Sequence, residues 1–367
     1  MLLSVIVPVH NMEADDKLTW CMDSLVGQTL AKSRPGEMEI IAVDDCSEDG
    51  SLGILRSYEQ RYPQLVRVIA CEKNLHQGGA KNRGLAIAAG DWIGFIDADD
   101  WVTPDYYERL LAEAERTGAD MAACDYSLVD RHTWETGKHI PNHSEEQTGE
   151  LNREKYRLLL LDSGSLVIKI YRRHIVYGDL DPLAKKDGKA EGSPGTIPVF
   201  PEGIFYEDNA VACSWMLRAK RFAYLPEPLY YYYQHGTSTV HTLSYRNLND
   251  RLEAGRLLLE AAKKEGYLED YRPEIEFLFT NLFYRNTLFS AMAVYREGGR
   301  TDDPIYRFTK ALAREMRSAF PGFQENPYYL ERVDAEERGF MALQMRSQFL
   351  FYIKYRLLWK YRRIRKR

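Results

Sequence analysis

The 367-residue chain predicts an α/β fold: a doubly wound sheet with helices on both faces, followed by a helical C-terminal region. Three observations carry this. Short apolar runs alternate with helical patterns through the first 127 residues, polar clusters follow directly on several of those runs, and from about residue 245 the pattern is helical to the end. The runs Leu3–Val7, Glu39–Val43, Val66–Cys71, Trp92–Ile96 and Asp120–Cys124 read as strands buried on both faces of a parallel sheet. Between them Leu18–Gln28, Ser51–Arg61, Gly79–Ala89 and Pro104–Thr117 have helical spacing, with Pro104 suited to a first helical position and Thr103 to its cap. Such alternation implies a doubly wound sheet, and ligands bind such sheets beyond the carboxyl ends of the strands. His10-Asn11, Asp44-Asp45 and Asp97–Asp100 all fall there.

Residues 128–165 read as a loop with a helix near Arg153–Leu161, and Leu166–Tyr171 reads as a strand. Residues 178–198, rich in Gly, Pro, Lys and Asp, read as a mobile insertion. Leu248–Lys264, Pro273–Tyr295 and Pro304–Arg317 are the helices expected later. The expected division is a catalytic body over 1–240 and a helical region over 241–367.

Composition is that of a globular protein, 45% hydrophobic and 28% charged. The 25 tyrosines suit either a polar-aromatic cleft or a core edge closed with hydroxyls outward. The net charge of −5 hides an asymmetry: ten Lys or Arg and no acid follow Glu337, so the preceding chain carries −5 − 10 = −15. An acidic body argues against nucleic-acid binding. Cys21, Cys46, Cys71, Cys124 and Cys213 are odd in number and show no metal-ligand spacing, which suits a reducing compartment. Leu2–Val9 lacks a basic leader and a cleavage site, and no apolar run approaches the ~18 residues of a membrane span. The expected location is the cytoplasm.

Three clusters could carry chemistry. Asp97-Ala98-Asp99-Asp100 sets three carboxylates within four residues, which repel unless a cation sits among them. Mg²⁺ and Mn²⁺ take such oxygens together with substrate phosphates; a solvated turn with a helix-capping aspartate is the other reading. Asp44-Asp45 could accept hydrogen bonds from a nucleobase or ribose, whereas Ser47–Ser51 is explained by a capped turn into a helix. In Asn74–Gly84 the pair Gly78-Gly79 before a helix allows close approach to a phosphate, with Lys81 as a point charge. An ordinary loop-to-helix turn fits equally, and G-x-G-x-x-G is absent.

Taken in order, Pro8-Val9-His10-Asn11, Val43-Asp44-Asp45-Cys46-Ser47, Asn74 to Gly84 and Asp97-Ala98-Asp99-Asp100 resemble the family 2 glycosyltransferases of the GT-A fold. The resemblance covers roughly residues 1–127 and resumes at Gly203-Ile204-Phe205-Tyr206-Glu207-Asp208 and Leu229-Tyr230-Tyr231-Tyr232. It implies a GT-A sheet and an inverting, metal-dependent transfer from a nucleotide-diphosphate sugar, a UDP-sugar, to a glycan or lipid-linked glycan in bacterial polysaccharide or glycoconjugate assembly. It places Pro8 and His10 at the base, His10 standing where tyrosine is more usual. Asp45 falls on the base-binding aspartate, with Asp44 beside it. Lys81 falls on a donor contact where arginine is more common, and His76 replaces a frequent glycine. Asp97 is implied as a donor contact that also belongs to the metal motif, and Asp99 as the direct ligand of Mn²⁺ or Mg²⁺. Asp208 is implied as the catalytic base beside Glu207, and His235 lies near a position that supports the metal or diphosphate in some relatives. Without the resemblance, Glu207-Asp208 reads as a polar helix start before Ala210–Leu217, and His235 as a surface histidine.

Two other readings compete. A sugar-nucleotide nucleotidyltransferase would want a glycine-rich basic loop after the first strand, which Pro8–Asn11 does not supply. A non-catalytic scaffold on a decayed fold is opposed by the intact Asp97, Asp99 and Asp208. Finally, Phe349–Arg367 combines Leu350, Ile353, Leu357, Trp359 and Ile364 with eight basic residues. This suits a helix lying on an anionic membrane or one packed on the body with a solvated basic end.

Overall fold

In the computed structural model, which describes residues 1–183, 198–234, 245–294 and 304–365, the strands are β1 (Leu3–Val9), β2 (Met38–Asp44), β3 (Val66–Ala70), β4 (Trp92–Phe95), β5 (Trp101–Val102), β6 (Met121–Val129), β7 (Lys138–Ile140), β8 (Gly149–Glu150), β9 (Lys169–Arg172) and β10 (Arg221–Tyr233). They form one sheet in the order β3-β2-β1-β4-β9-β6-β10-β5, with β7 on β6 and β8 on β10. The expected α/β sheet is present, but it is mixed. The first four strands in this order are parallel, while β9 runs antiparallel to both β4 and β6. Because β10 is parallel to β6, the carboxyl ends of β1, β2, β4, β6 and β10 still open on one edge.

Helices α1 (Lys17–Val26), α2 (Thr29–Ser33), α3 (Ser51–Arg61), α4 (His76–Leu85), α5 (Tyr106–Thr117), α6 (Arg153–Leu161), α7 (Arg173–Tyr177) and α8 (Glu207–Arg218) complete this unit. Alternation of side chains along the strands divides them between faces. Leu3, Val5 and Val7 of β1 join Leu18 and Leu25 of α1 and Leu55 of α3 in one core. Ile6 points the other way, onto α4, so closely that a Cβ on Gly84 would lie 2.7 Å from it. Pro8 is buried in β1, although a proline in a central strand forfeits a ladder bond. The β4 ladder ends opposite Ile6, two residues earlier, so among the described strands Pro8 is paired with β2 alone. Helix α5 starts at Tyr106 with Asp105 as its N-cap, later than Pro104 and Thr103 suggest. The Thr103 N–H is drawn to the Leu229 carbonyl at 2.9 Å, which keeps that segment extended.

The chain divides into two compact units, Met1–His241 and Thr242–Arg367. The second is helical: α9 (Tyr245–Lys264), α10 (Tyr267–Asp270), α11 (Arg272–Leu278), α12 (Asn286–Val294), α13 (Pro304–Ala319), α14 (Pro327–Arg332), α15 (Ala335–Arg346) and α16 (Gln348–Arg365). The single helix expected over Pro273–Tyr295 is broken by a π-helical turn at Phe279–Arg285. That turn carries Phe283, whose ring lies on Gly255 of α9; a Cβ there would sit 2.3 Å from it. Among the described residues no helix is long and apolar enough to cross a membrane.

Candidate active site

The end of β1 and the end of β2 are laced together. The Asp45 N–H donates to the Val9 carbonyl at 2.7 Å, and His10 Nδ1 stands 2.9 Å from the Asp45 carbonyl. A carbonyl only accepts, so Nδ1 carries the proton and Nε2 accepts from the amides of Asn11 and Asn74, each at 3.2 Å. The turn that follows is a structural clasp. Ser47 and Ser51 hydroxyls accept from the N–H groups of Asn11 and Met12, and Glu13 accepts from Gly50. The two aspartates diverge. Asp45 Oδ1 accepts the Leu75 N–H at 2.7 Å; burial raises its pKa, opposed by that bond and by His10 and His76. Asp44 takes the Ser47 N–H on Oδ2, but its buried Oδ1 has no hydrogen-bond partner among the described residues.

The second half of the site is built by α4 and the segment leading into α8. Gly78 is not a phosphate cradle here: a Cβ would lie 2.2 Å from the Pro201 carbonyl, and on Gly79 one would lie 2.3 Å from Leu75. Both glycines serve close packing of the chain on α4. Asn82, fully buried, pairs with both backbone groups of Phe200, at 2.8 and 2.9 Å. With that segment held, the buried Lys81 Nζ meets the buried Glu207 Oε1 at 2.6 Å. Burial opposes the ammonium, but Glu207, Asp97 and Asp208 around it outweigh that and raise its pKa. Tyr206, at φ +67°, turns the chain sharply so that Glu207 and Asp208 open α8, where the helix dipole favours negative charge. Asp208 Oδ1 accepts from the N–H and side-chain amide of Asn209. Burial and then the Glu207 charge raise the Asp208 pKa, against Lys81.

Beyond β4 the acidic run separates into different roles. Asp97 is pushed up to about 7 by burial, with Asp99, Glu207 and Asp208 adding to the shift and Lys81 opposing it. Its Oδ1 is buried without a hydrogen-bond partner among the described residues. Asp100 is 1% exposed and ties the run to β10, accepting the Tyr230 hydroxyl at 2.6 Å and the Tyr233 N–H at 2.9 Å.

A divalent ion fits this chemistry. Lys81 is the cation amid Asp97, Glu207 and Asp208, Asp99 bears on Asp97, and among the described residues a buried carboxylate oxygen of Asp97 has no hydrogen-bond partner. Among the described residues no three His, Cys, Asp or Glu side chains converge to hold an ion on their own. A site in which the protein supplies one or two oxygens and phosphate and water complete the shell, as is usual for Mg²⁺, is compatible with this. His235 lies outside the described residues, as do residues 184–197 of the expected insertion.

Of the residues singled out from sequence, the fold gathers Lys81, Asp97, Glu207 and Asp208 in one group, with Asp99 acting on Asp97, and Pro8, His10, Asp44 and Asp45 in another, on the same edge of the sheet. Asn82 and Asn74 were not anticipated as organisers of the site. An asparagine inside the helical pattern, Asn82, is the one signal the sequence offers for this.

Residues 4–177 match the sequence model described as Glycosyl transferase family 2. The uncharacterized glycosyltransferase YibD of Escherichia coli is 33% identical over 253 residues, 67% of this chain and 66% of that protein, so the match spans about two thirds of its length. The poly(ribitol-phosphate) beta-glucosyltransferase of Bacillus spizizenii is 40% identical over 124 residues, 33% of this chain and 18% of that protein. TarS residues 1–349 from S. aureus, in a crystal structure with UDP, superpose with a TM-score of 0.65 at 20% identity, covering 98% of this chain and 91% of that one. That structural likeness shows a shared GT-A architecture.

Proposed function

Because the chain belongs to the family 2 glycosyltransferases, we propose that it transfers a sugar, with inversion, from a UDP-sugar to a hydroxyl of a glycan or lipid-linked glycan. The observation that carries this reading is the group of Asp97, Glu207 and Asp208 around Lys81, with Asp99 acting on Asp97, at the carboxyl edge of the sheet. Such an edge has one end suited to a base, at His10, Asp44 and Asp45, and one suited to a diphosphate. Asp44 Oδ1, without a partner among the described residues, matches an imide N–H of a uracil. Asp208 is the base that takes the acceptor proton; its raised pKa makes it a stronger base than an open aspartate. Glu207 keeps Lys81 charged and in place, and the strained turn at Tyr206 aims the pair. Asp99, with Asp97, would hold Mn²⁺ or Mg²⁺, which when bound neutralises the leaving diphosphate as a Lewis acid. Relatives such as the poly(ribitol-phosphate) glucosyltransferase support a role in cell-surface polysaccharide assembly. Asp208→Asn tests the assignment: UDP binding by calorimetry should persist while turnover falls by roughly 10²–10⁴. Turnover equal to that of the unaltered protein would refute it.

We also place the protein at an anionic membrane surface, where a lipid-linked acceptor resides. Helix α16 buries Phe351 and Tyr352, yet leaves Phe349, Leu350 and Leu357 more than half exposed. These three, with Leu343, Ile353 and Leu358, line an open apolar groove of about 610 Å³ flanked by Lys354. An apolar face bordered by basic residues suits the interface of an anionic bilayer. Cosedimentation with phosphatidylglycerol vesicles should be lost in Leu350→Glu/Leu357→Glu, both positions being exposed. Equal binding of that variant would rule the surface out.

A further inference from the structure

The same edge of the sheet carries a second surface, on the far side of the acidic run from His10 and Asp45. Helix α1 leaves β1, Trp101 follows Asp100, the loop 130–136 leaves β6, and Tyr231 and Tyr233 end β10. These elements bring six aromatic rings into one stack. Trp101, fully buried, is its base. It lies parallel to Tyr231 (5.6 Å between centroids, 12°) and donates its indole N–H to the Thr133 carbonyl at 3.0 Å. Trp20 and His132 form the next layer, stacked on each other at 5.0 Å and 13° and each 5.3 Å from Trp101. Tyr233 closes on His132 at 4.9 Å. Trp134 stands outermost, 5.5 Å from Trp20 and 49% exposed, with the Tyr231 hydroxyl holding its carbonyl at 2.8 Å.

A wall of this kind is more than a loop anchor requires. Leaving an indole half in water forgoes its burial, and such rings gather where a partner has one apolar and one polar aspect. A pyranose is such a partner: its C–H face packs on a ring while its hydroxyls seek carboxylates and amides around the rim. The rim here is polar. Asp15 and Asp16 are exposed, and both bear electrostatically on His132, whose Nε2 has no hydrogen-bond partner among the described residues. The wall is also fixed to the acidic run, since Asp100 binds Tyr230 and Tyr233 of the same strand. It therefore keeps its register with Asp97 and Asp99.

We propose that Trp134, Trp20 and His132 form a subsite for pyranose rings of the acceptor glycan, next to the sugar-transfer site. The proposal rests on the reading of Asp97–Asp99 as the donor end; given that, the base end at β1 and β2 leaves the β6 and β10 side for the acceptor. It commits to an oligosaccharide rather than to the donor nucleotide or to a protein partner.

The test is titration of the full chain with tetrasaccharides of β-glucose, β-N-acetylglucosamine, galactose and mannose, followed by tryptophan fluorescence and calorimetry, with and without UDP. At least one should bind, UDP should not displace it, and Trp134→Ala should weaken it about tenfold or more with UDP affinity and melting temperature unchanged. Trp20→Phe should weaken it less while keeping the stack. The proposal is overturned if no tetrasaccharide binds, if UDP competes with it, or if Trp134→Ala binds as well as the unaltered chain. Glycan binding through Trp134 in a protein that turns over no nucleotide sugar would remove the transfer reading and leave the subsite standing. Normal turnover with binding indifferent to Trp134 would do the reverse.

Discussion

Removing the ammonium of Lys81 should expose how the site is held together. Its side chain is 2% exposed and that of Glu207 6%, so the pair is buried and its 2.6 Å contact is unscreened by solvent. Lys81→Met leaves the Glu207 carboxylate facing Asp97 and Asp208 without its cation. Breaking a buried pair in this way costs about 3–5 kcal/mol. In a unit of this size each kcal/mol lowers the melting temperature by about 2–4 °C, so the fall should be about 6–20 °C. The reverse change is milder. In Glu207→Gln the ammonium still has Asp97 and Asp208 nearby, and the amide can still accept its hydrogen bond, so about 1–2 kcal/mol is expected. The double variant should be more stable than Lys81→Met alone, giving a coupling of about 2–3 kcal/mol in the cycle. Urea unfolding followed by circular dichroism measures all four proteins. A loss below about 1 kcal/mol in Lys81→Met, or additive losses in the double variant, would refute the pairing as the support of the α8 start.

Two further outcomes follow from single positions. His76 sits at φ +60°, which costs a non-glycine residue roughly 1–2 kcal/mol. His76→Gly should therefore raise stability by about 0.5–1 kcal/mol after loss of the ring contact with Phe205 at 5.0 Å, and a lower melting temperature would contradict this. Lys169 is buried and its pKa is brought down to about 7 by that burial, so above pH 7 the unfolded chain binds the extra proton. Stability should rise with pH from about 7 towards the free lysine value near 10.4, and Lys169→Met should flatten that rise; an unchanged slope would show that Lys169 does not titrate there.

How much of this could be read beforehand depends on the distance over which each feature is written. Strands β1, β2, β3, β4 and β6 were legible because strands buried in the sheet spell continuous apolar runs. Strand β10 was not: Pro226, Glu227 and Pro228 interrupt it, and the sheet absorbs them as register shifts at Leu225–Pro228 and Pro228–Tyr230. The antiparallel course of β9 was hidden for a different reason, since composition carries no direction. Within the site, Asp44-Asp45 and Asp97–Asp100 announced themselves locally by charge. Glu207-Asp208 became visible only through resemblance, because its meaning lies in Lys81, 126 residues away. Gly78 and Gly79 signalled close approach correctly, but what approaches is the chain at Pro201 and the side chain of Leu75. The aromatic stack at Trp134 draws on four separate segments and leaves no local pattern.

The most direct test is release of UDP from a set of UDP-sugars by the purified full chain, measured with Mn²⁺, with EDTA, and after Mn²⁺ or Mg²⁺ is restored. Release from at least one UDP-sugar, abolished by chelation and recovered with the ion, is the expected result. No metal-dependent release from any of them would contradict transfer from a UDP-sugar at Asp97, Asp99 and Asp208.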